Sequence, residues 1–178
     1  MITILSSSLN HDSNSRILAR EAQRVLETDG EAVTFVDLRD HPLPLCDGGG
    51  VYRDPRVAEF SRLLGAADAI LVAAPIYNYD VSAALKNVIE LTGSAWENKA
   101  VGFLCAAGGM SSYMSIMAFA NSLMLDFRSV IVPRFVYATG DAFAGGELRD
   151  PEQIRRVAQL ARATARMGAA LQRSAVAA

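Results

Sequence analysis

The 178-residue sequence has little cysteine, no long apolar run and no strong excess of charge of either sign. Seventeen lysines and arginines against nineteen aspartates and glutamates give a net charge of −2. That balance excludes the basic surface typical of nucleic-acid-binding domains, so no nucleic-acid partner is expected. The start of the chain lacks the basic region of a secretory signal, and no apolar stretch approaches the roughly 18 residues of a membrane span. We therefore expect a cytoplasmic protein without a membrane partner.

Sequence signatures of metal and nucleotide sites are also missing. The two cysteines, Cys46 and Cys105, match neither a zinc-binding spacing nor a Cys-x-x-Cys pair, so both are expected to be reduced and structural, with no metal. The chain contains no Gly-x-Gly-x-x-Gly and no Gly-x-x-x-x-Gly-Lys-[Ser/Thr]. Neither the dinucleotide fingerprint nor a P-loop is therefore supported.

Apolar residues, which make up 51% of the chain, are abundant enough for a packed core. The length suits one domain over residues 1–178, with a frayed tail from about residue 173. Five short apolar runs predict five strands. These runs extend from Ile2 to Leu5, Ala32 to Val36, Ala69 to Ala74, Ala100 to Cys105, and Val130 to Val136. The third and fourth are apolar at consecutive positions, which is typical of parallel strands covered by helices on both faces.

Helical patterns separate these runs. The first predicted helix begins near Ser13 and stops at Gly30, and the last follows Asp150 as its cap. Three more extend over Val57–Leu64, Ser82–Leu91 and Ser112–Phe127. Strict alternation of strands and helices predicts an α/β doubly wound sheet of order 2-1-3-4-5. Ligands of such sheets bind beyond the carboxyl ends of the strands, so the loops after strands one, three and four are candidate sites.

The loop after the first strand is rich in hydroxyl and amide side chains. It reads SSSLNHDSNSR and leads directly into a helix. Free N–H groups at a helix start, together with short hydroxyl donors, suit a phosphate group. The alternative is that Ser13 or Asn14 only caps the helix while the other side chains are solvated.

The loops after strands three and four offer an aromatic wall and a glycine edge. Pro75 ends the third strand, and Tyr77–Tyr79 follow it with groups that suit a flat heteroaromatic ligand. Alternatively, these tyrosines only cover the strand end. Gly108 and Gly109 let backbone N–H groups approach a ligand, or serve a tight turn. Together the three loops present their groups in the order that an elongated flavin mononucleotide (FMN) requires.

At these loops the chain resembles the NAD(P)H-dependent FMN reductase family of flavodoxin-like proteins, whose relatives include quinone, azo and chromate reductases. The similarity extends from Ile2 to about Phe143. The family's phosphate loop, Gly-Ser-x-Arg-x-x-Ser, falls on residues 7–13, where Ser7 replaces the glycine and Asn10 replaces the arginine. The missing arginine removes a charge-assisted contact to the phosphate.

Two further motifs carry the resemblance. The family pattern Pro-Glu-Tyr-Asn-x-Ser-x-Pro-Gly-x-Leu-Lys-Asn falls on residues 75–87, and its two ends match. Its middle departs from the pattern, at Ile76, Asp80, Ser82 and Ala83. The third motif, Ala-Gly-Gly before a helix, falls on residues 107–109 and matches.

The resemblance implies a flavodoxin-like three-layer sandwich and an FMN-dependent oxidoreductase. Hydride would pass from NADPH or NADH through FMN to a small-molecule acceptor such as a free flavin or a quinone, and no catalytic side chain is required. The implied FMN-binding residues belong to the three loops. They are Ser8, Ser13, Asn14 and Ser15 for the phosphate, Pro75, Ile76, Tyr77 and Asn78 for the ring and ribityl chain, and Gly108, Gly109 and Ser111 for the ring edge.

The sequence also leaves two alternative functions open and predicts an oligomeric state. A flavodoxin-type electron shuttle shares the fold and cofactor, although such shuttles are strongly acidic, and a flavin-free binding module is the third possibility. A homodimer or homotetramer is expected, because the helix over Ser82–Leu91 has too few polar positions for a surface helix. Members of the family that the chain resembles commonly form dimers or tetramers.

Overall fold

A mostly parallel sheet forms the centre of the molecule. The computed structural model describes the backbone of residues 1–176 and the side chains of residues 1–173. The sheet order is β2-β1-β3-β5, and β6 and β7 share the last position beside β5. The strands are β1 (Ile2–Ser6), β2 (Val33–Asp37), β3 (Ala69–Tyr77), β4 (Asp80–Val81), β5 (Ala100–Ala107), β6 (Val130–Ile131), β7 (Val136–Thr139), β8 (Phe143–Ala144) and β9 (Glu147–Leu148). The predicted doubly wound order is confirmed.

The predicted fifth strand over Val130–Val136 is wrong as one element, because it is broken in two. Strand β6 pairs with Ala100 and Val101, and β7 resumes the parallel pairing at Leu104. Between them, Pro133 lacks the N–H that a ladder needs, and Arg134 has a left-handed φ of 62°. The extended ladder cannot pass through these two residues, so the edge strand is interrupted there.

Further strand pairs appear that the apolar pattern does not reveal. The third strand does not end at Pro75 but continues to Tyr77, with Pro75 opposite Ala106 of β5. It then turns back to pair antiparallel with β4, and β8 pairs with β9 in a separate small hairpin. These pairs are two residues long, too short for an apolar alternation to be visible in the sequence.

Five helices cover the two faces of the sheet. They are α1 (Asn14–Thr28), α2 (Pro55–Gly65), α3 (Ala83–Thr92), α4 (Met117–Phe127) and α5 (Pro151–Val176). Helices α1 and α5 pack on one core cluster, and α2, α3 and α4 pack on the other. Ile70 and Val72 of β3 point into one cluster and Leu71 into the other, so both faces of this strand are buried.

Capping residues explain most of the helix boundaries. The side chains of Ser13, Ser82 and Asp150 accept hydrogen bonds from the first-turn N–H groups of α1, α3 and α5. The fourth helix begins at Met117 rather than at Ser112, because Met110–Ser112 form a separate 3₁₀ turn. The helix α5 continues to Val176, past the point where fraying was expected, and residues 177 and 178 lie outside the described part of the chain.

The apolar side chains of α3 face the protein's own core. Leu85, Val88, Ile89 and Leu91 are all at most 5% exposed. The polar positions Lys86 and Glu90 face solvent and form an ion pair with each other. The argument that placed this helix at a subunit interface is therefore wrong, since α3 is covered within the monomer.

The two cysteines are free thiols, and Cys105 is completely buried. Burial raises the pKa of the Cys105 thiol to about 12, so it stays protonated at neutral pH. Residues 1–176 form no helix that combines the length and the apolarity needed to cross a membrane. The same described residues contain no cluster of three or more histidine, cysteine or acidic side chains that could hold a metal ion.

Candidate active site

A cleft of about 600 Å³ lies at the carboxyl ends of the central strands. It is formed where the loops after β1, β3 and β5 meet, as the strand order requires. Nine of the predicted site residues line it: Ser8, Ser13, Asn14, Ser15, Pro75, Ile76, Tyr77, Asn78 and Gly108. The folded chain thus brings residues from three separate loops into one cavity.

Three serine hydroxyls are buried at the β1 end of this cleft. Ser8, Ser13 and Ser15 are each at most 8% exposed. The hydroxyls of Ser13 and Ser15 lie 2.9 Å apart, and the Ser8 hydroxyl accepts a 3.3 Å hydrogen bond from the N–H of Asn10. Buried hydroxyls can donate to an anion at little cost, because they have already lost contact with bulk water.

The first turn of α1 adds backbone donors to these hydroxyls. Ser13 caps the helix by accepting from the N–H of Arg16 at 3.2 Å. In the described part of the chain, the N–H groups of Asn14 and Ser15 have no protein acceptor. The capping reading of Ser13 is confirmed, but it satisfies only one N–H group, and the others point toward the helix start, where the partial positive charge favours an anion.

Arg16, to which the sequence motifs assign no role, holds this loop in shape. Its guanidinium donates to the carbonyls of Ser8 (2.8 Å), Asn10 (2.8 Å) and His11 (3.0 Å). It also donates to both carboxylate oxygens of Asp37 at the end of β2, at 2.6 and 3.3 Å. One side chain therefore holds three loop carbonyls in place and ties the loop to the end of β2.

Asp37, the carboxylate partner of Arg16, is itself held by hydrogen bonds. Burial raises the pKa of the Asp37 carboxyl, but hydrogen bonds from the Arg16 guanidinium and from the N–H of Arg39 outweigh burial, so the pKa lies below its usual value. Both side chains of the pair are mostly buried, at 13% exposure for Arg16 and 9% for Asp37. Asp37 is thus ionised at neutral pH and balances the arginine charge.

The second loop forms a tight hairpin at the opposite wall of the cleft. Asn78 and Tyr79 have φ angles of 50° and 69°, the two positive values that a type I′ turn requires between β3 and β4. A positive φ is unusual for tyrosine, and here the Tyr79 hydroxyl donates to the Ser111 carbonyl. The turn leaves the Tyr77 ring 52% exposed at the mouth of the cleft.

Residues 108–112, which follow β5 and which we call the glycine loop, contain the three remaining predicted site residues. Gly108 lines the cleft, whereas Gly109 and Ser111 do not. The Gly109 carbonyl accepts a 2.6 Å hydrogen bond from the Tyr137 hydroxyl, and Gly109 has an extended φ of −169°, which any residue adopts. Sequence reasoning missed Gly140, which reaches the cleft from the end of β7; it lies beyond the end of the predicted fifth strand and belongs to no motif.

Replacing Gly108 with valine is expected to fill this wall of the cleft. A Cβ at Gly108 meets no atom within 4 Å, so the fold tolerates the side chain while the ligand space shrinks. Isothermal titration calorimetry should show FMN affinity at least about tenfold weaker, or ~1.4 kcal/mol. Gly109→Val is the matched control, since its Cβ also meets open space but lies outside the cleft lining. Equal losses in the two variants would contradict the assignment of Gly108.

The family model for NADPH-dependent FMN reductase matches residues 1–144. The chain belongs to this family. It is similar to an NAD(P)H-dependent FAD/FMN reductase of Geobacillus thermodenitrificans (33% identical over 79% of this chain and 77% of that protein). It is also similar to an FMN-dependent NADH:quinone oxidoreductase of Shewanella loihica (34% identical), although the match spans only about half of each protein, 53% and 55%.

Solved structures of flavoenzymes share the fold of this FMN reductase family member. The flavoenzyme NAD(P)H:(acceptor) oxidoreductase FerB of Paracoccus denitrificans superposes with a TM-score of 0.75 at 20% identity, over 92% of this chain and 93% of that one. An NADH:FMN oxidoreductase in its apo form superposes with a TM-score of 0.72 at 17% identity, over 90% and 86%. The predicted flavodoxin-like fold is confirmed.

Family membership decides between the three functions that the sequence left open. The protein is an NAD(P)H-dependent oxidoreductase that uses FMN. The cleft of this reductase fits the cofactor on its own evidence, because buried hydroxyls and free N–H groups suit a phosphate at one end and an exposed tyrosine suits a ring at the other. Neither the electron shuttle nor the flavin-free module explains these findings as well.

Proposed function

We propose that the reductase binds the FMN phosphate between Ser8 and Ser15, with the flavin ring between Tyr77 and Gly108. The observation that carries this assignment is the set of three buried serine hydroxyls around the start of α1. A phosphate there receives hydroxyl and backbone donors without needing the arginine that Asn10 replaces. Pro75, Ile76 and Asn78 then line the path of the ribityl chain. Gly109 and Ser111 act on the ring edge only through the loop that they support.

The protein contributes to the reaction by positioning the cofactor. Bound FMN would supply the hydride-transfer chemistry between the nicotinamide and an acceptor. The buried loop and the α1 start hold the anionic end, while the β3–β4 hairpin holds the Tyr77 ring at the mouth of the cleft. The exposed mouth leaves one side of the site accessible, which suits donor and acceptor molecules that enter and leave in turn.

Quinones or free flavins are the acceptors that we propose. Both are flat and partly apolar, and the exposed rings of Tyr77 and Tyr79 offer matching surfaces at the cleft mouth. The names of several relatives describe NADH or NADPH:quinone oxidoreductases, which supports a quinone. The free cysteines and the use of NAD(P)H fit the reducing cytoplasm, where we place the enzyme.

Steady-state kinetics should follow a ping-pong scheme. Because donor and acceptor use the same open side of the cleft, one must leave before the other binds. Initial rates with NADPH and a soluble benzoquinone, each varied at several fixed levels of the other, should give parallel double-reciprocal lines. Intersecting lines would show that both ligands bind together, and the single-sided cleft would then be wrong.

We also propose a homodimer or a dimer of dimers, based on a surface other than α3. Apolar side chains in and next to the glycine loop and along one side of α4 are 40–77% exposed. They are Met110, Met114, Met117, Met124 and Leu125. Residues 117, 124 and 125 share one side of the helix, as i, i+7 and i+8 positions do. A contiguous apolar area of this kind is typical of an interface.

Light scattering tests the assembly. The parent should have at least twice the monomer mass of 19.1 kDa at micromolar concentration, and Met117→Glu with Leu125→Lys should shift it toward the monomer. Leu45→Glu with Tyr52→Lys, at two exposed apolar residues elsewhere, is the control and should leave the mass unchanged. A monomeric parent would contradict the proposal.

A further inference from the structure

A second cavity, of about 560 Å³, shares no lining residue with the flavin cleft. It is bounded by α5 and by the break between β6 and β7. Its floor is apolar, with Val132 and Leu160 almost fully buried, and the Tyr113 ring forms part of its wall. Four arginines also line it: Arg134, Arg155, Arg156 and Arg166. We call this cavity the arginine pocket.

The arginine pocket carries positive charge that the protein does not neutralise. Glu152 is the only carboxylate among its described lining residues, and it accepts two hydrogen bonds from Arg155 at 2.5 and 2.9 Å. Arg156 donates to the Phe135 carbonyl, a neutral group. Arg134 and Arg166 have no hydrogen-bond acceptor and no ion pair in the described part of the chain. With four guanidinium groups and one carboxylate, the described lining therefore carries an excess of three positive charges.

Many arginines outside the pocket are paired with carboxylates. Six arginines outside the pocket form ion pairs with carboxylates, three of them, such as Arg24 with Glu21, with a residue two or three positions away in sequence. On α5, by contrast, no acidic residue lies three or four positions from Arg166. A helix face that only needed solubility would gain by pairing Arg166 with an acidic neighbour, and the sequence provides none.

Protection of the sheet edge explains only part of the arrangement. Proline and charge at a broken edge strand prevent pairing with other chains, and Pro133 with Arg134 meets that need. Arg156 and Arg166 belong to α5, however, and do not lie on the edge strand. The left-handed backbone of Arg134 holds a long cationic side chain on the rim opposite the helix, which gives the pocket positive groups on two sides.

We propose that the arginine pocket binds a phosphate monoester attached to an apolar or aromatic body. Guanidinium forks match the geometry of phosphate oxygens, and a dianion satisfies more of the excess charge than a carboxylate does. The apolar floor and Tyr113 accommodate the attached body. Two sources share this chemistry: the 2′-phosphate of NADPH, and a separate phosphorylated compound.

Aromatic contacts link the wall of the arginine pocket to the loop after β5. The Tyr113 ring packs on Phe135 and Tyr137, with centroids 5.0 and 5.4 Å apart. The Tyr137 hydroxyl in turn contacts the Gly109 carbonyl and, at 2.9 Å, the Ser112 hydroxyl. A ligand on the Tyr113 side therefore touches the same aromatic group that supports the glycine loop.

Calorimetric titration of the FMN-saturated protein with adenosine 2′-monophosphate and with inorganic phosphate tests the site. The parent should bind adenosine 2′-monophosphate, and Arg134→Gln with Arg166→Gln should weaken that binding at least about tenfold. The control is Arg53→Gln with Arg62→Gln, which removes two exposed, unpaired arginines elsewhere and should change the affinity less than about twofold. Thermal unfolding of each variant verifies that it is folded.

The titration is interpreted together with the KM values for NADPH and NADH, measured for the parent and the pocket variant. Equal affinity in the parent and the pocket variant, or equal losses in the pocket and control variants, would overturn the proposal. Lost binding together with a higher KM for NADPH and an unchanged KM for NADH identifies the NADPH phosphate as the source. Lost binding with both KM values unchanged identifies a separate phosphorylated compound. Because the binding readout needs no turnover, failure of the reductase activity would leave the arginine pocket standing.

Discussion

Replacing Arg16 with glutamine should both destabilise the protein and weaken FMN binding. The substitution leaves the Asp37 carboxylate buried without its partner and frees the three loop carbonyls that the guanidinium holds. Removing one member of a buried ion pair costs about 3 kcal/mol or more. We expect a loss of that size in the free energy of unfolding from urea denaturation of the apoprotein, and at least about tenfold weaker FMN binding.

Arg162→Gln is the matched control for this prediction. Arg162 holds Asp29 with nearly the same geometry, at 2.6 and 3.1 Å, but the two side chains are 49% and 32% exposed. An exposed pair contributes at most about 1 kcal/mol, and this one lies far from the cleft lining. If the two variants lose similar stability, or if Arg16→Gln binds FMN like the parent, the bracing role of Arg16 is wrong.

The same pair predicts how stability changes with pH. The folded-state pKa of Asp37 lies below its unfolded value, so the stabilising contribution is fully present above the unfolded pKa of about 4. It is lost as pH falls through the folded-state pKa. Acid unfolding of the parent should therefore show a stability decrease in this range that is smaller in Arg16→Gln.

Placing glutamate at Ser13 should abolish most FMN binding. The carboxylate would lie beside a phosphate whose charge is close to −2, in a partly desolvated loop, and like charges repel strongly there. A loss of about a hundredfold or more in FMN affinity, measured by quenching of flavin fluorescence, is expected. The variant also loses the cap of α1, which costs about 1 kcal/mol of stability on its own.

Ser82→Glu separates the charge effect from the loss of a cap. Ser82 is likewise a buried cap, accepting from the Leu85 N–H at 3.3 Å as Ser13 accepts from Arg16 at 3.2 Å, but it does not line the cleft. Both variants should lose similar stability, and only Ser13→Glu should lose FMN affinity. Retained affinity in Ser13→Glu would place the phosphate elsewhere.

Local patterns in the sequence were sufficient for the fold class and for most of the candidate cleft. Consecutive apolar residues at 69–74 and 100–105 identify buried parallel strands, since only a strand covered on both sides has no polar face. Strand order then places the loops at 6–16, 75–79 and 107–109 at one edge. Motif resemblance named the family, and the family model confirmed it.

Features that depend on distant contacts could not be predicted in this way. The break at Pro133 and Arg134 depends on how the edge strand meets β5, and an apolar run does not reveal it. The sequence does not reveal what covers α3, because a helix that is apolar on most sides can be covered by its own chain as well as by a partner.

The sequence alone determined the alternation of strands and helices, the caps and the family, because each is encoded in neighbouring residues or short motifs. Tertiary structure alone decided that Arg16 reaches Asp37, twenty-one residues away, and that Gly108 rather than Gly109 lines the cleft. It also gathered arginines 134, 155, 156 and 166 around one pocket. These outcomes depend on where long side chains and loop backbones end in space, which spacing along the chain does not specify.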